Sequence, residues 1–123
     1  EDACRSALAG IDRSKDLRMQ VTEQILAMLP LGQATLTRVA ANLTIGDRSL
    51  QRRLTELDTS FEKLVEETRR ELSDRLLATD TPLAEISYLC GYSNASAYSR
   101  AARGWYGMAP QAKRLEIRTT NLT

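Results

Sequence analysis

An internal duplication constrains this chain more than any other feature. Residues 35–54 and 81–102 read as loose copies of one unit. In the first copy the apolar set is Leu36, Val39, Ala40 and Leu43, followed by Leu50 and Leu54. In the second it is Leu83, Ile86, Ser87 and Cys90, followed by Tyr98 and Ala101/Ala102. Each set opens with an i, i+3, i+4, i+7 pattern, breaks where a turn fits, and resumes on a second short helical face. Two helices joined in this way predict a helix-turn-helix. A duplicated unit is a usual way to place two reading helices in the major grooves of DNA.

The rest of the chain is also helical. Leu17, Val21, Ile25 and Met28 mark an amphipathic helix that Pro30 and Gly32 end. Thr35 caps the next helix, which runs to about Asn42, and a turn through Thr44, Ile45 and Gly46 leads to a helix over 47–57 with Asp47 in its first turn. The longest periodic run covers 59–79. Thr59 and Glu62 have capping-box spacing, Phe61, Val65, Thr68, Leu72 and Leu76 form the inward stripe, and Glu66–Arg70 and Glu71–Arg75 are i, i+4 pairs. About 20 residues give roughly 30 Å of helix, close to the roughly 34 Å between successive major-groove faces. Thr81 and Pro82 open the next helix as cap and first residue, and Gly91 ends it in a left-handed turn across which Tyr92 packs. Asn94 caps a second reading helix over 95–103, and Gly107 and Pro110 precede a last helix over 111–117. No strand-like alternation occurs. The expected fold is all-α, with two helix-turn-helix subdomains (17–58 and 80–118), a connecting helix (59–79), about seven helices in all, and a tail at 119–123.

At 123 residues the chain is one domain, or two small ones sharing a helix. It opens on Glu1, and the polar stretch 1–16 reads as a linker from an upstream domain. The net charge is only +1, but it is unevenly spread. Arg100, Arg103, Lys113, Arg114 and Arg118 face the single acid Glu116 in one segment, and Arg48, Arg52 and Arg53 cluster in another. The acids Glu62, Glu66, Glu67, Glu71 and Asp74 gather on the central run, so a near-neutral mean conceals basic faces. The chain has no histidine, its two cysteines (Cys4 and Cys90) lack metal-ligand spacing, and no glycine loop for phosphates appears. These features argue against an enzyme and call for no cofactor and no metal. No apolar run approaches the roughly 20 residues of a membrane span, which places the chain in the cytoplasm, and Cys90 reads as a buried free thiol.

On the helix over 47–57, Leu50 and Leu54 face inward and leave Arg48, Ser49, Gln51, Arg52 and Thr55 outside. Arginine matches guanine O6 and N7, and glutamine matches adenine N6 and N7. Arg48, Ser49, Gln51 and Arg52 are therefore candidate base readers. On the helix over 95–103 the outward candidates are Ala95, Ser96, Ser99 and Arg100, a weaker code that favours affinity and bending over discrimination. Arg53, Arg103, Lys113 and Arg114 are candidates for phosphate contact, with the helix openings at Thr35 and Pro82. The competing reading is a helical protein–protein module, against which Tyr98 and Trp105 read as core.

These residues resemble the DNA-binding domain of AraC-type transcription regulators. Ser49-Leu50-Gln51-Arg52-Arg53-Leu54 is similar to the family's first recognition helix, and Arg69-Arg70-Glu71-Leu72 to its connecting helix. Leu83-Ala84-Glu85-Ile86, Gly91-Tyr92-Ser93, Tyr98-Ser99-Arg100-Ala101, Trp105, Gly107 and Pro110 match its C-terminal signature in order and spacing. The resemblance implies two recognition helices in successive major grooves of double-stranded promoter DNA. It also implies a bacterial regulator, usually an activator that contacts RNA polymerase, located with the nucleoid. An N-terminal effector or dimerisation domain would precede the DNA-binding part. The chain departs from the pattern at Thr44, where glycine is usual, at Gly46, where a serine-type cap is usual, and at Ala102, where a large aromatic is usual. A β-branched residue at a positive φ is strained, which predicts a looser or differently shaped first turn. At Ala102, either Trp105 and Tyr106 fill the space or the second subdomain is less rigid.

Overall fold

The computed structural model describes residues 13–122. Among them the chain forms seven α-helices and no strand. These are α1 (Arg13–Met28), α2 (Leu36–Asn42), α3 (Asp47–Glu56), α4 (Phe61–Leu77), α5 (Leu83–Leu89), α6 (Ala95–Tyr106) and α7 (Pro110–Leu122), with a 3-10 turn, Leu29–Leu31, after α1. The all-α architecture and the helix count agree with the periodicity. No described helix is long and apolar enough to cross a membrane. Of the stretch read as a linker, residues 1–12 lie outside the described residues, and the backbone is already helical from Arg13.

Two cores form, one per helix-turn-helix. Leu17, Val21 and Ile25 of α1 pack with Val39 and Ala40 of α2, Leu50 and Leu54 of α3, and Phe61 and Leu64 of α4. Leu77 at the end of α4 packs with Ile86, Cys90, Tyr98 and Ala102. Leu72 lies against both cores, so α4 belongs to each. Each large apolar side chain fully buried here contributes about 1.5–3 kcal/mol. The duplication is visible in the packing: Val39 corresponds to Ile86, Ala40 to Ser87, Leu50 to Tyr98 and Leu54 to Ala102, all buried. The second unit carries one residue more between its turn and its second helix.

The two turns share one hydrogen-bond pattern. Thr44 and Ile45 donate their backbone N–H groups to the Ala41 and Ala40 carbonyls, and Gly91 and Tyr92 donate theirs to Tyr88 and Ser87. This is the paired closure of a helix end by a left-handed residue. Thr44 takes that role at φ 54° and Gly91 at φ 87°. The first turn is therefore as tight as the second, not looser, and the threonine carries the strain. At Gly91 the requirement is steric as well, because a Cβ would sit 3.0 Å from the Leu29 side chain and 3.1 Å from its carbonyl oxygen.

Several boundaries differ from the sequence expectation. The α3–α4 connection repeats the same closure, with Asp58 at φ 61° and Thr59 donating to the Leu54 carbonyl. That bond draws Thr59 into the end of α3 and buries it, so Ser60 caps α4 instead, accepting from the Lys63 N–H at 3.1 Å. The buried face of α4 is Phe61, Leu64, Thr68, Ser73 and Leu77, while Val65, Leu72 and Leu76 are half-buried. At 17 residues, α4 is about 25 Å long, shorter than expected. Pro82, not Thr81, is the cap residue of α5, and Thr81 shares a hydrogen bond with Thr79. Helix α6 continues three residues past Arg103 to Tyr106 before Gly107 ends it, and α7 runs from Pro110 to Leu122 through most of the expected tail.

Candidate nucleic-acid interface

The second helix of each unit presents one polar stripe opposite its buried residues. On α3, Arg48, Gln51, Arg52 and Thr55 are exposed at i, i+3, i+4 and i+7, with Leu50 and Leu54 buried beneath. On α6, Ser96, Ser99, Arg100 and Arg103 occupy the same positions over Tyr98 and Ala102, with Ser99 half-buried. Arg52 thus corresponds to Arg100, Gln51 to Ser99 and Arg48 to Ser96. The equivalence also places the exposed Arg103 in register with Thr55, at the C-terminal end of the stripe. Ser49 is half-buried beside the first stripe, Ala95 is exposed at the opening of the second, and Arg53 is exposed in the last turn of α3.

The side chains on these stripes are largely free of competing partners. Arg52 faces Glu56 at 3.8 Å with both side chains about two-thirds exposed, a pair that water screens and that leaves the guanidinium available. The openings of the first helices differ from each other. Thr35 uses its hydroxyl to accept from the Arg38 N–H at 3.3 Å. Pro82 brings no side-chain cap to α5. Asn94 caps α6, accepting from the Ala97 N–H at 2.8 Å, as expected.

Two candidate phosphate ligands are occupied elsewhere. Arg114 is buried, and its guanidinium donates to the carbonyl oxygens of Leu77, Leu76 and Thr81. It closes the C-terminus of α4 and is withdrawn from the phosphate set. Lys113 is half-buried, bonded to Glu116 at 2.7 Å and lying 5.2 Å from the Tyr106 ring centroid. Arg118 pairs with Asp80.

Polar and aromatic side chains anchor α6 on α4. The Trp105 Nε1–H donates to Glu66 Oε2 at 2.5 Å, so Glu66 serves Trp105 in place of its expected pairing with Arg70. Arg70 instead lies over the Tyr106 ring. The Tyr106 hydroxyl is 2.5 Å from Asp74 Oδ1 and 2.9 Å from Ser73 Oγ, and Ser73 Oγ is 2.6 Å from the Tyr98 hydroxyl. Tyr92 packs against Tyr98 and Trp105 with the Arg69 guanidinium 4.7 Å from its ring centroid. Trp105 and Tyr106 pack against the core that contains Ala102, in keeping with the first of the two expectations. Burial pushes the Tyr92 phenol up to about 12 against the opposing pull of Arg69, and it raises Tyr98 and Tyr106 as well. All three stay protonated at neutral pH, and the Tyr98 and Tyr106 hydroxyls can donate to Ser73 and Asp74. Among the described residues no group of three or more His, Cys, Asp or Glu side chains could hold a metal ion.

Two helix-turn-helix units built on a shared helix, each with an exposed polar stripe, define a class of duplex-DNA readers. The family profile described as a helix-turn-helix domain matches residues 39–116, and the chain belongs to the AraC-type family of helix-turn-helix transcription regulators. It is 33% identical over 111 residues to the ornithine utilization regulator of Pseudomonas aeruginosa, a match covering 89% of this chain and 32% of that protein. It is 39% identical over 88 residues to the transcriptional regulator VirS of Mycobacterium tuberculosis, covering 71% of this chain and 26% of that one. The chain thus spans about a third or less of the length of these relatives. Among solved structures, a DNA-binding transcriptional dual regulator from Escherichia coli K-12 superimposes with a TM-score of 0.76 at 25% identity, covering 84% of this chain and 93% of that one.

Proposed function

We propose that this chain is the DNA-reading part of a bacterial transcription regulator and engages two successive major grooves of promoter DNA through α3 and α6. The observation that carries the reading is the congruence of the two outward-facing polar stripes, Arg48-Gln51-Arg52-Thr55 and Ser96-Ser99-Arg100-Arg103 with Ser99 half-buried, over equivalent buried pairs. Arg48, Ser49, Gln51 and Arg52 read base edges in one groove. Ala95, Ser96, Ser99 and Arg100 meet the other with smaller side chains that discriminate less. Arg53, Arg103 and the backbone openings at Thr35 and Pro82 supply phosphate contacts. The units correspond to residues 17–58 and 80–118, with 59–79 between them.

For the whole regulator, the family resemblance supports activation through RNA polymerase, placement at the nucleoid, and control by an N-terminal effector or dimerisation domain. The length of the relatives is consistent with such a further domain.

The test is selection of bound duplexes from a random pool with this chain, followed by a salt titration on the winner. Two sequence elements about 10–10.5 base pairs apart are expected, together with an affinity that falls steeply with ionic strength. A single short element would restrict reading to one unit. Affinity insensitive to salt would favour a protein partner instead.

A further inference from the structure

The two reading helices are anchored differently. Among the described residues, the side-chain hydrogen bond that links α3 to another helix runs from Thr37 on α2 to Asp47, at 2.9 Å. Helix α6 is instead tied to the connecting helix itself, through Trp105–Glu66, Tyr106–Asp74, Tyr106–Ser73 and Tyr98–Ser73. The anchor points Glu66 and Asp74 lie about 12 Å apart along α4 at 1.5 Å per residue. They are reached from adjacent residues of α6. Trp105 and Tyr106 therefore spread in opposite directions along α4, with their rings edge to face at 5.9 Å. Such a crossbar opposes rotation of α6 about its point of contact. Tyr98, near the other end of α6, adds a bond to Ser73 and fixes the helix's roll. With one proton per hydroxyl, the arrangement serving all three phenol and serine contacts runs from Tyr98 through Ser73 and Tyr106 to the Asp74 carboxylate. The network thus ends on a charged acceptor, which strengthens it.

We infer that Glu66 and Asp74 are positioning residues for DNA reading: through Trp105 and Tyr106 they set the angle of the second reading helix on the connecting helix, and so fix the spacing of paired elements the chain accepts. Neither carboxylate approaches DNA in this role; each would repel phosphate if it did. The inference rests on the two-groove reading above.

The experiment measures binding of the intact chain to the duplex selected from the random pool, with the spacer between its two elements lengthened or shortened by one base pair. A one-base-pair change moves the second element by about 3.4 Å along the axis and turns it by about 34°. Wild type should lose about tenfold or more at each altered spacing, as expected for a site held to sub-ångström tolerance. Glu66→Ala combined with Tyr106→Phe should flatten that profile to within about threefold, while affinity for a duplex carrying only the first element stays unchanged. Glu66→Gln, which keeps a carbonyl acceptor for Trp105, should restore the peak in the wild-type Tyr106 background. A double variant as sharply peaked as wild type overturns the inference. So does a uniform loss at every spacing and on the single element, which would mark a merely structural role. A wild-type profile that is itself flat would overturn the two-groove reading, and this inference with it.

Discussion

Arg114 donates its Nε–H to the carbonyl oxygen of Leu77, the last residue of α4, at 3.1 Å. Its Nη2 reaches Leu76 and Thr81, so one guanidinium from α7 joins the end of the connecting helix to the loop that opens the second unit. Helix C-termini leave carbonyls without partners, and a cation there also meets the negative end of the helix dipole. Arg114→Ala would leave buried acceptors unsatisfied and should cost about 2–3 kcal/mol of stability, read by thermal or urea denaturation. Arg114→Lys should recover little of it, because an ammonium cannot span the three carbonyls as the planar fork does. The salt slope of DNA binding should not change in the alanine variant, which removes the charge. A slope reduced by about one would return Arg114 to the phosphate set.

Thr44 offers the opposite case, a residue that costs stability where it stands. A left-handed conformation is unfavourable for a β-branched side chain by about 1–2 kcal/mol, and its hydroxyl gains only an exposed bond to the adjacent Leu43 carbonyl. Glycine relieves the strain and loses some of that gain to greater freedom in the unfolded chain. Thr44→Gly should therefore stabilise the protein by about 0.5–1 kcal/mol, with DNA affinity unchanged. A lower melting temperature would show that the threonine side chain stabilises the first turn.

Cys90 is fully buried, and burial pushes its thiol up from 9.0 to about 12 despite the nearby Arg69. A thiol at this value is almost entirely protonated at pH 8 and inert. In a Cys4→Ser background it should resist alkylation until the protein opens. The folded value lies above the unfolded one, so the folded state holds the proton more tightly. Its contribution is full below about pH 9 and is lost as pH rises towards 12. Tyr92, also raised to about 12, adds to the same alkaline loss. Urea denaturation at a series of pH values should show stability falling above pH 9, with a shallower fall in Cys90→Ala. Rapid alkylation of folded protein at pH 8 would contradict the burial.

Much of this architecture was legible because local and global signals agree. Val39, Leu50 and Leu54, and Ile86, Tyr98 and Ala102, sit at helical spacing and are buried as that spacing predicts. The caps at Thr35 and Asn94 and the left-handed turn at Gly91 were likewise readable from residue type. What escaped depended on partners distant in the chain. Nothing local distinguishes Ser60 from Thr59 as a cap; the choice is made by Thr59's bond back to Leu54. Arg114 looks like one more basic residue until α7 folds against the end of α4. Glu66 reads in the sequence as the partner of Arg70, four residues away, whereas its partner Trp105 lies on another helix. The turn at Thr44 is tight despite its threonine because the hydrogen-bond closure of the helix outweighs a single strained residue.

The candidate base readers divide from the phosphate contacts in a measurable way. Arg52 is exposed on the face of α3 opposite Leu50 and Leu54, and its water-screened approach to Glu56 at 3.8 Å leaves the guanidinium available. A bidentate contact to guanine from this position makes Arg52→Ala cost about 1–3 kcal/mol on the selected duplex and relaxes preference at one base pair. Arg53, one residue on, points about 100° away around the helix. In contact with the backbone it carries no sequence information, so Arg53→Ala should weaken selected and random duplexes alike and lower the salt slope by about 0.9. Glu56→Gln should leave stability within about 0.5 kcal/mol, as exposed pairs do, and should raise non-specific affinity by removing a negative charge near the phosphates. Equal losses on selected and random duplexes for Arg52→Ala would move Arg52 from the base edges to the backbone, and base reading by α3 would then have to rest on Arg48 and Gln51.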